Sequence, residues 1–260
     1  MTYKTILLDV KDGVARLTFN RPDKMNALSL EALGEVQHAI RAVGNMKAEA
    51  RVLVLSGAGR GFSAGLDLVA PRPNPSDRDE AMRDFFVPAA RLLKDIGIPT
   101  LAVVHGPCVG AGMAFALNCD IVLAARSAYF LAAFVNVGLV PDTGASWSIP
   151  QSLGVARAMG MLLLGERVAA PKAEEWGLIW KCVDDDQLAA EADAMARKLA
   201  AGPSKAYDLI RRMVMDSVHG SFHDGLQREA EYQRLVRDSE DAIEARKAFA
   251  EKRPPQFKGK

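Results

Sequence analysis

The chain has 260 residues, 49% hydrophobic and 25% charged, with a formal net charge of +1. That composition excludes a disordered chain and sustains one large folded unit or two small ones. The near-zero charge argues against a general nucleic-acid binder. Cys108, Cys119 and Cys182 show no metal-ligand spacing. The first two stand in apolar surroundings and are expected to be buried free thiols, and the odd count fits a reducing, cytoplasmic setting. Residues 1–19 scatter charge among short apolar runs, the pattern of neither a secretion signal nor a membrane span.

In chain order, residues 3–20 predict a β-hairpin. Ile6, Leu7 and Leu8 precede the turn sequence Lys11-Asp12-Gly13, and Val14, Leu17 and Phe19 alternate after it. A loop, Asn20 to Lys24, leads to Ser29, placed to N-cap a helix with Leu30, Leu33, Val36, Ile40 and Val43 at helical spacing. Arg51–Leu55 is a strand without alternation, expected to be buried on both faces. Residues 57–68 follow, with glycines at 57, 59, 61 and 65 that mark a tight turn at a strand's end. No Gly-Lys-Ser/Thr closes it, so it is not a nucleotide phosphate loop. Residues 70–80 carry three prolines and predict a mobile segment. Phe85, Phe86, Ala89, Leu92, Leu93 and Ile96 restore helical spacing, which Pro99 is expected to end.

The stretch 100–150 organises the rest. An apolar strand, Thr100–Val104, runs into a turn built on Gly106, Gly110 and Gly112. An apolar helix follows, and then a strand over Asp120–Ala124. Gly110 and Gly112 let backbone approach a ligand as a helix begins, where unpaired N–H groups and the positive helix dipole suit a developing oxyanion. Asp142 is the carboxylate just after Pro141 and just before a small-residue turn. Two strand–turn–helix units in succession predict an α/β arrangement. Beyond Gly154 the pattern is mostly helical. It includes a short helix opening at Pro171, a last strand over Ile179–Val183, and helices over 187–200, 203–217, 222–237 and 239–251. A helical tail of this kind often packs on neighbouring subunits.

Four groups of residues together resemble the crotonase, or enoyl-CoA hydratase/isomerase, superfamily over almost the whole chain. They are Arg21-Pro22…Asn26-Ala27-Leu28, Gly59–Leu68, Gly106…Gly110-Ala111-Gly112…Cys119-Asp120, and Glu174…Gly177-Leu178-Ile179. The stretches GAGRGFSAG, DIVLAARSA, GLVPD, EEWGLIW, VDDDQLA and PQFKGK are similar to the ring-1,2-epoxyphenylacetyl-CoA isomerases of phenylacetate breakdown. The resemblance implies a repeated ββα superhelix core over 1–200 and a helical oligomerisation region over 201–260, in trimers or paired trimers. It implies an acyl-CoA thioester substrate, as in fatty-acid metabolism, with CoA as part of the substrate and no separate cofactor or metal. It places the oxyanion donors at the N–H groups of Leu66 and Ala111, flanked by Gly65 and Gly110. It puts the adenine end of CoA at the backbone near Ala64, with Lys24 and Met25 nearby and Asp67 orienting the turn.

Departures from the family pattern bear on the reaction. Family hydratases use two glutamates, whose positions here are Ala114 and Phe134. Water addition needs one group to activate water and another to manage the carbon-bound proton, so a simple hydratase is disfavoured. Asp142 matches an aspartate of the ring-epoxide isomerases, of dienoyl-CoA isomerases and of 4-chlorobenzoyl-CoA dehalogenase. One carboxylate suffices for a proton shift. That would carry a ring epoxide to an oxepin thioester, or a 3-enoyl-CoA to a 2-enoyl-CoA. The alternatives are a hydratase, a hydrolase or dehalogenase with Asp142 as nucleophile, and a non-catalytic acyl-CoA-binding subunit. Phe134, Trp147, Phe85 and Phe86 are candidates for an aromatic acyl wall or for plain core packing. His105 is read as a turn residue satisfied by backbone, Asp120 as structural, and Lys258 and Lys260 as a solvated tail. His219, His223 and Asp224 lack a metal-site spacing.

Overall fold

The computed structural model describes residues 2–46, 49–69, 78–218 and 220–260. His219 and all but the end of the proline-rich stretch 70–80 lie outside the described residues. The hairpin forms as its alternation requires. β1 (Ile6–Lys11) and β2 (Gly13–Phe19) pair antiparallel around Asp12 and Gly13, both at positive φ. Ser29 caps α1 (Leu30–Asn45), its Oγ accepting the N–H of Ala32 at 3.2 Å. β3 (Ala50–Gly57) follows, buried on both faces from Val52 to Leu55.

A short helix α2 (Arg78–Ala81) and a π-helical turn (Met82–Phe86) lead into α3 (Val87–Asp95). Gly97, at φ 76°, turns the chain before Pro99 is reached, so a glycine rather than the proline stops this helix. β4 (Thr100–Val104) then precedes β5 (Pro107–Val109), α4 (Gly110–Asn118), β6 (Ile121–Ala125) and β7 (Tyr129–Leu131).

β1-β2-β3-β4-β6 and a later strand, β9 (Lys181–Val183), make a six-stranded sheet, parallel except for its first hairpin. β5, β7 and β8 (Arg167–Ala169) make a second, three-stranded sheet. Strands of three residues show too little of the two-residue period to be read from sequence, and this second sheet was not expected. α4 is buried along its whole length, consistent with its apolar residues on every side. Its Phe115 meets Phe19 edge-on at 6.2 Å, and Phe19 meets Phe62 at 5.5 Å, which ties α4 to the hairpin and to the glycine-rich turn.

α5 (Ala145–Leu164) begins nine residues before Gly154 and breaks there, where Gly154 takes φ 71°. The helical pattern expected from Gly154 onward is therefore the second half of a kinked helix. Pro171 sits in the first turn of α6 (Ala170–Trp176). α7 (Leu188–Ala200) lays Leu188, Ala192, Ala196 and Ala200 against the body of the protein. α8 (Ser204–Ser217), α9 (Phe222–Val236) and α10 (Glu240–Ala250) complete the chain.

Arg211 of α8 docks this helical region. Its Nε donates to Asp120 Oδ2 at 2.7 Å and its Nη2 to the carbonyl of Lys94 at 3.1 Å, at the C-terminal end of α3. Asp120 also accepts the N–H and hydroxyl of Thr100, at 2.7 and 2.9 Å, the structural role expected of it. The last residues are pinned through their backbone. Buried Asp241 accepts the N–H groups of Lys258 and Gly259, at 2.6 and 2.9 Å, and Arg51 donates to the carbonyl of Phe257 at 3.1 Å. Only the side chains of Lys258 and Lys260 are solvated. Arg211→Ala leaves Asp120 without its cation and removes a largely buried guanidinium. We expect it to lower unfolding free energy by about 2 kcal/mol, measured as a fall in the urea midpoint at unchanged slope.

Candidate active site

Two loops run side by side and build the anion end of the site. Ser63 N–H donates to the carbonyl of Pro107 at 3.1 Å, and Val109 N–H to the carbonyl of Ser63 at 2.9 Å, a parallel bridge of Ser63 with Cys108. Further along, Gly65 and Gly110 lie back to back. A Cβ on Gly65 would stand 2.8 Å from the carbonyl oxygen of Val109, and one on Gly110 would stand 3.9 Å from the Cα of Gly65. A Cβ on Gly112 would collide with the side chain of Ser63. Both Gly65 and Gly110 take positive φ, 88° and 51°. The contact thus requires glycine for space and for conformation.

The offset that pairs Ser63 with Cys108 brings Leu66 opposite Ala111. Leu28 donates to the carbonyl of Gly65 at 2.7 Å and accepts from Asp67 at 3.0 Å. In such a parallel bridge the N–H and C=O of the intervening Leu66 point away from Leu28. Ala111 is the second residue of α4, where an N–H has no intrahelical acceptor and the helix dipole is positive. Backbone donors placed in this way are of the kind that can stabilise an oxygen gaining negative charge.

Buried side chains lock the glycine-rich turn. Asn26, 1% exposed, donates from Nδ2 to the carbonyls of Ala58 and Gly61, both at 2.8 Å, and accepts the N–H of Arg21 at 2.9 Å. Ser63 Oγ donates to the carbonyl of Asn26 at 2.8 Å, and Arg21 pairs with Asp67 at 2.8 Å. Asp67 also accepts the N–H of Val69 at 3.1 Å. Asn26 was visible in sequence only as one letter of a motif; its three-way hydrogen bonding emerges from the fold. Met25 and Asn26 hold left-handed φ values of 49° and 56°. The carbonyl of Met25 accepts the N–H of Ala64 at 2.8 Å, which brings these two residues together beside Gly65, while Lys24 ends an exposed turn next to them.

Asp142 lies in the loop that opens α5, which meets the C-terminal end of α4 through Asn118 and Thr143. It is half-buried, and desolvation raises its pKa above the ordinary aspartate value, offset in part by the hydroxyl of Thr143, which donates to Oδ1 at 2.9 Å. Among the described residues no cation pairs with it, in contrast to Asp67 and Asp120. A carboxyl with a raised pKa and no ion-pair partner can both take and return a proton.

The other candidate residues are held by contacts of their own. His105 Nε2 donates to the carbonyl of Gly59 at 2.9 Å, so it is a turn residue satisfied by backbone. Ala114 and Phe134 are both buried. The carbonyl of Phe134 accepts the N–H groups of Val137 and Leu139, at 3.1 and 2.9 Å, which shapes the loop before Asp142. Phe86 is buried in the core, Phe85 packs beside Gly34 of α1, and Trp147 lies under the ammonium of Lys94 at 5.6 Å. Asp224 is committed to a capping box with Ser221, and His223 lies against Phe222. Cys108 and Cys119 are buried, and burial pushes the Cys119 thiol up to about 12.

The enoyl-CoA hydratase/isomerase family matches residues 9–260. The chain belongs to that family. A 1,2-epoxyphenylacetyl-CoA isomerase of Escherichia coli (strain K12) is 41% identical over 259 residues, 98% of each chain. A trans-2-decenoyl acyl-carrier-protein isomerase of Streptococcus mutans is 31% identical over 267 residues, 100% of each chain. The solved enoyl-CoA hydratase of Bacillus anthracis shares the fold with a TM-score of 0.94 at 29% identity, covering 99% of this chain and 100% of that one. The architecture is thus the crotonase fold that the motifs implied. The relatives include both isomerases and a hydratase, so membership of the enoyl-CoA hydratase/isomerase family establishes the enzyme class without choosing between them.

Because the folded-state pKa of Asp142 is raised, its ionised form costs stability above that pKa, and the cost disappears as pH falls through it. Asp142→Asn is neutral at every pH and keeps an acceptor for Thr143. We expect it to melt above the parent at pH 7 by calorimetry, with the gap closing as the pH is lowered through the carboxyl titration.

Proposed function

We propose that this enzyme is an acyl-CoA isomerase in which Asp142 is the single acid/base. The observation that carries the proposal is the state of that carboxylate: desolvated, hydrogen-bonded by Thr143 and unpaired with any cation among the described residues. The two positions at which family hydratases hold their glutamates are Ala114 and Phe134. In the proposed reaction a thioester carbonyl sits at the N–H groups of Leu66 and Ala111. Asp142 takes the proton from the α-carbon, and the electron pair moves into the carbonyl to form an enolate. The enolate collapses and the protonated Asp142 gives the same proton to a more distant carbon. A 3-enoyl thioester would become a 2-enoyl thioester, with the proton moved from C2 to C4. No water, oxidant or metal enters the balance.

The likeness to the Escherichia coli isomerase supports a ring-1,2-epoxyphenylacetyl-CoA substrate, converted to an oxepin thioester by the same proton removal. Phe134 and Trp147 would flank the acyl end, and Met25, Lys24 and Ala64 the CoA end. No histidine hydrogen-bonds Asp142 among the described residues, which counts against a nucleophilic aspartate with a histidine partner.

Self-association completes the proposal. Val137, Leu139 and Val140 before the Asp142 loop, and Leu163, Leu164 and Trp180 beyond it, are exposed large apolar side chains of the kind a subunit interface covers. The C-terminal region 201–260 would contribute to that interface in a homotrimer or a pair of trimers. Sedimentation equilibrium returning a monomer at micromolar concentration would reject this part.

The direct test is incubation with a 3-enoyl-CoA and with ring-1,2-epoxyphenylacetyl-CoA in heavy water, followed by mass and proton NMR. Asp142→Asn should lower turnover by roughly 10²- to 10⁴-fold and leave thioester binding intact. The acid limb of the parent kcat profile should lie above the ordinary aspartate range, because turnover needs the carboxylate and desolvation raises its pKa. Full turnover by Asp142→Asn would reject the proposal.

A further inference from the structure

Asp142 is not held by its own loop alone. Asn118, the last residue of α4, is buried, and its Nδ2 donates to the carbonyl of Thr143 at 2.7 Å. A Cβ on Gly144 would stand only 3.0 Å from that amide nitrogen, so the loop is pressed against the Asn118 side chain. Thr143 itself takes φ 53°, a left-handed conformation that β-branched residues rarely adopt. Of the five non-glycine residues at positive φ among the described residues, Met25, Asn26 and Thr143 all lie in loops of the candidate site. Conformational strain of this kind persists where surrounding contacts over-determine it, and it gathers at functional sites. The strained Thr143 is also the residue whose hydroxyl donates to Asp142.

The sequence spacing gives this contact a second meaning. Asn118 follows Ala111 by seven residues on one helix. Two turns of α-helix return the chain to nearly the same face, about 10 Å further on. Ala111, Ala114 and Asn118 therefore form one stripe of α4. Ala111 lies at the anion end and Asn118 at the Asp142 loop, with the small Ala114 between them.

We infer that Asn118 and Thr143 are positioning residues for the reaction, fixing the Asp142 carboxylate to the same rigid helix that presents the Ala111 N–H. The inference rests on the reading of Asp142 as the acid/base. Asn118 sets the height and direction of the loop along α4, and the left-handed turn at Thr143 aims the hydroxyl at the carboxylate. The distance between proton-transfer group and oxyanion donors is then governed by one fully buried helix rather than by the solvent-facing loop. A carboxylate displaced by an ångström from its near-attack position can lose two orders of magnitude in rate while substrate binding is unaffected.

The test compares Asn118→Ala, Thr143→Gly, Thr143→Ser and Asp142→Asn with the parent enzyme, on whichever of the two thioesters the parent turns over. Melting temperatures are recorded in parallel. We expect Asn118→Ala to lower kcat roughly 10- to 100-fold with KM changed less than about threefold. Thr143→Gly, which tolerates φ 53° without strain, should melt at or above the parent yet lose at least roughly tenfold in kcat. A merely structural threonine would show no such opposition between stability and turnover. Thr143→Ser keeps the hydroxyl and should recover most of the rate.

If Asp142→Asn is inactive while folded Asn118→Ala and Thr143→Gly keep parental kcat, the positioning role is refuted and the acid/base reading stands. If Asp142→Asn turns over normally, both fall together. Should Asn118→Ala not fold, Thr143→Gly decides alone.

Discussion

The close approach of two backbones, residues 63–66 against 107–111, is the constraint on which the site depends. Gly65 beside the carbonyl of Val109, and Gly112 beside Ser63, leave no room for a side chain. Remove that proximity and the bridge of Ser63 with Cys108, which sets the two loops in register, is lost. The surrounding polar network exists to hold it. Asn26 ties two carbonyls of the glycine-rich turn, Ser63 ties that turn back to Asn26, and Arg21 with Asp67 closes its outer end. Each of these groups is buried or half-buried and hydrogen-bonded, as interior polar atoms must be.

Helix α4 extends the same constraint across the molecule. Its buried length lies between Ala111 near one end and Asn118 at the other, and its Phe115 is set in the aromatic cluster of the core. Beyond its C-terminal end, Asp120 receives Arg211, so the helical C-terminal region is clamped to the same junction. The carboxylates sort by environment. Asp67 and Asp120 have arginine partners and are structural, whereas Asp142 is desolvated without one. A nearby cation would favour the charged form of such a carboxyl; without one, burial raises its pKa.

Several elements were legible before any coordinates. The hairpin turn at Asp12-Gly13, the Ser29 cap and the buried strand at 52–55 follow from local rules of turn chemistry, capping and periodicity. So do the glycine turn and the backbone-satisfied His105. The three-residue strands β5, β7 and β8 escaped because a pattern of period two cannot be recognised in three positions. The first half of α5 escaped because the helical pattern reads clearly only beyond Gly154, where the helix breaks at φ 71°. The end of the chain read as a solvated tail, and only its lysine side chains are; its backbone is bound by Asp241 and Arg51, residues distant in sequence.

The sequence by itself determined the class of the protein, the positions where glycine is obligatory and the identity of the surviving carboxylate. These depend on residue type and on spacing over a few positions. Tertiary structure alone decided which loops run side by side, that Asp142 is desolvated and without an ion-pair partner among the described residues, and that Asn118 grips the loop carrying it. Those properties depend on what lies within a few ångströms in space. Pairs such as Ser63 with Cys108, Arg21 with Asp67 and Asn118 with Thr143 are separated by 45, 46 and 25 residues. No local pattern encodes such meetings; they exist only once the sheet, the glycine contacts and the buried helix have formed together.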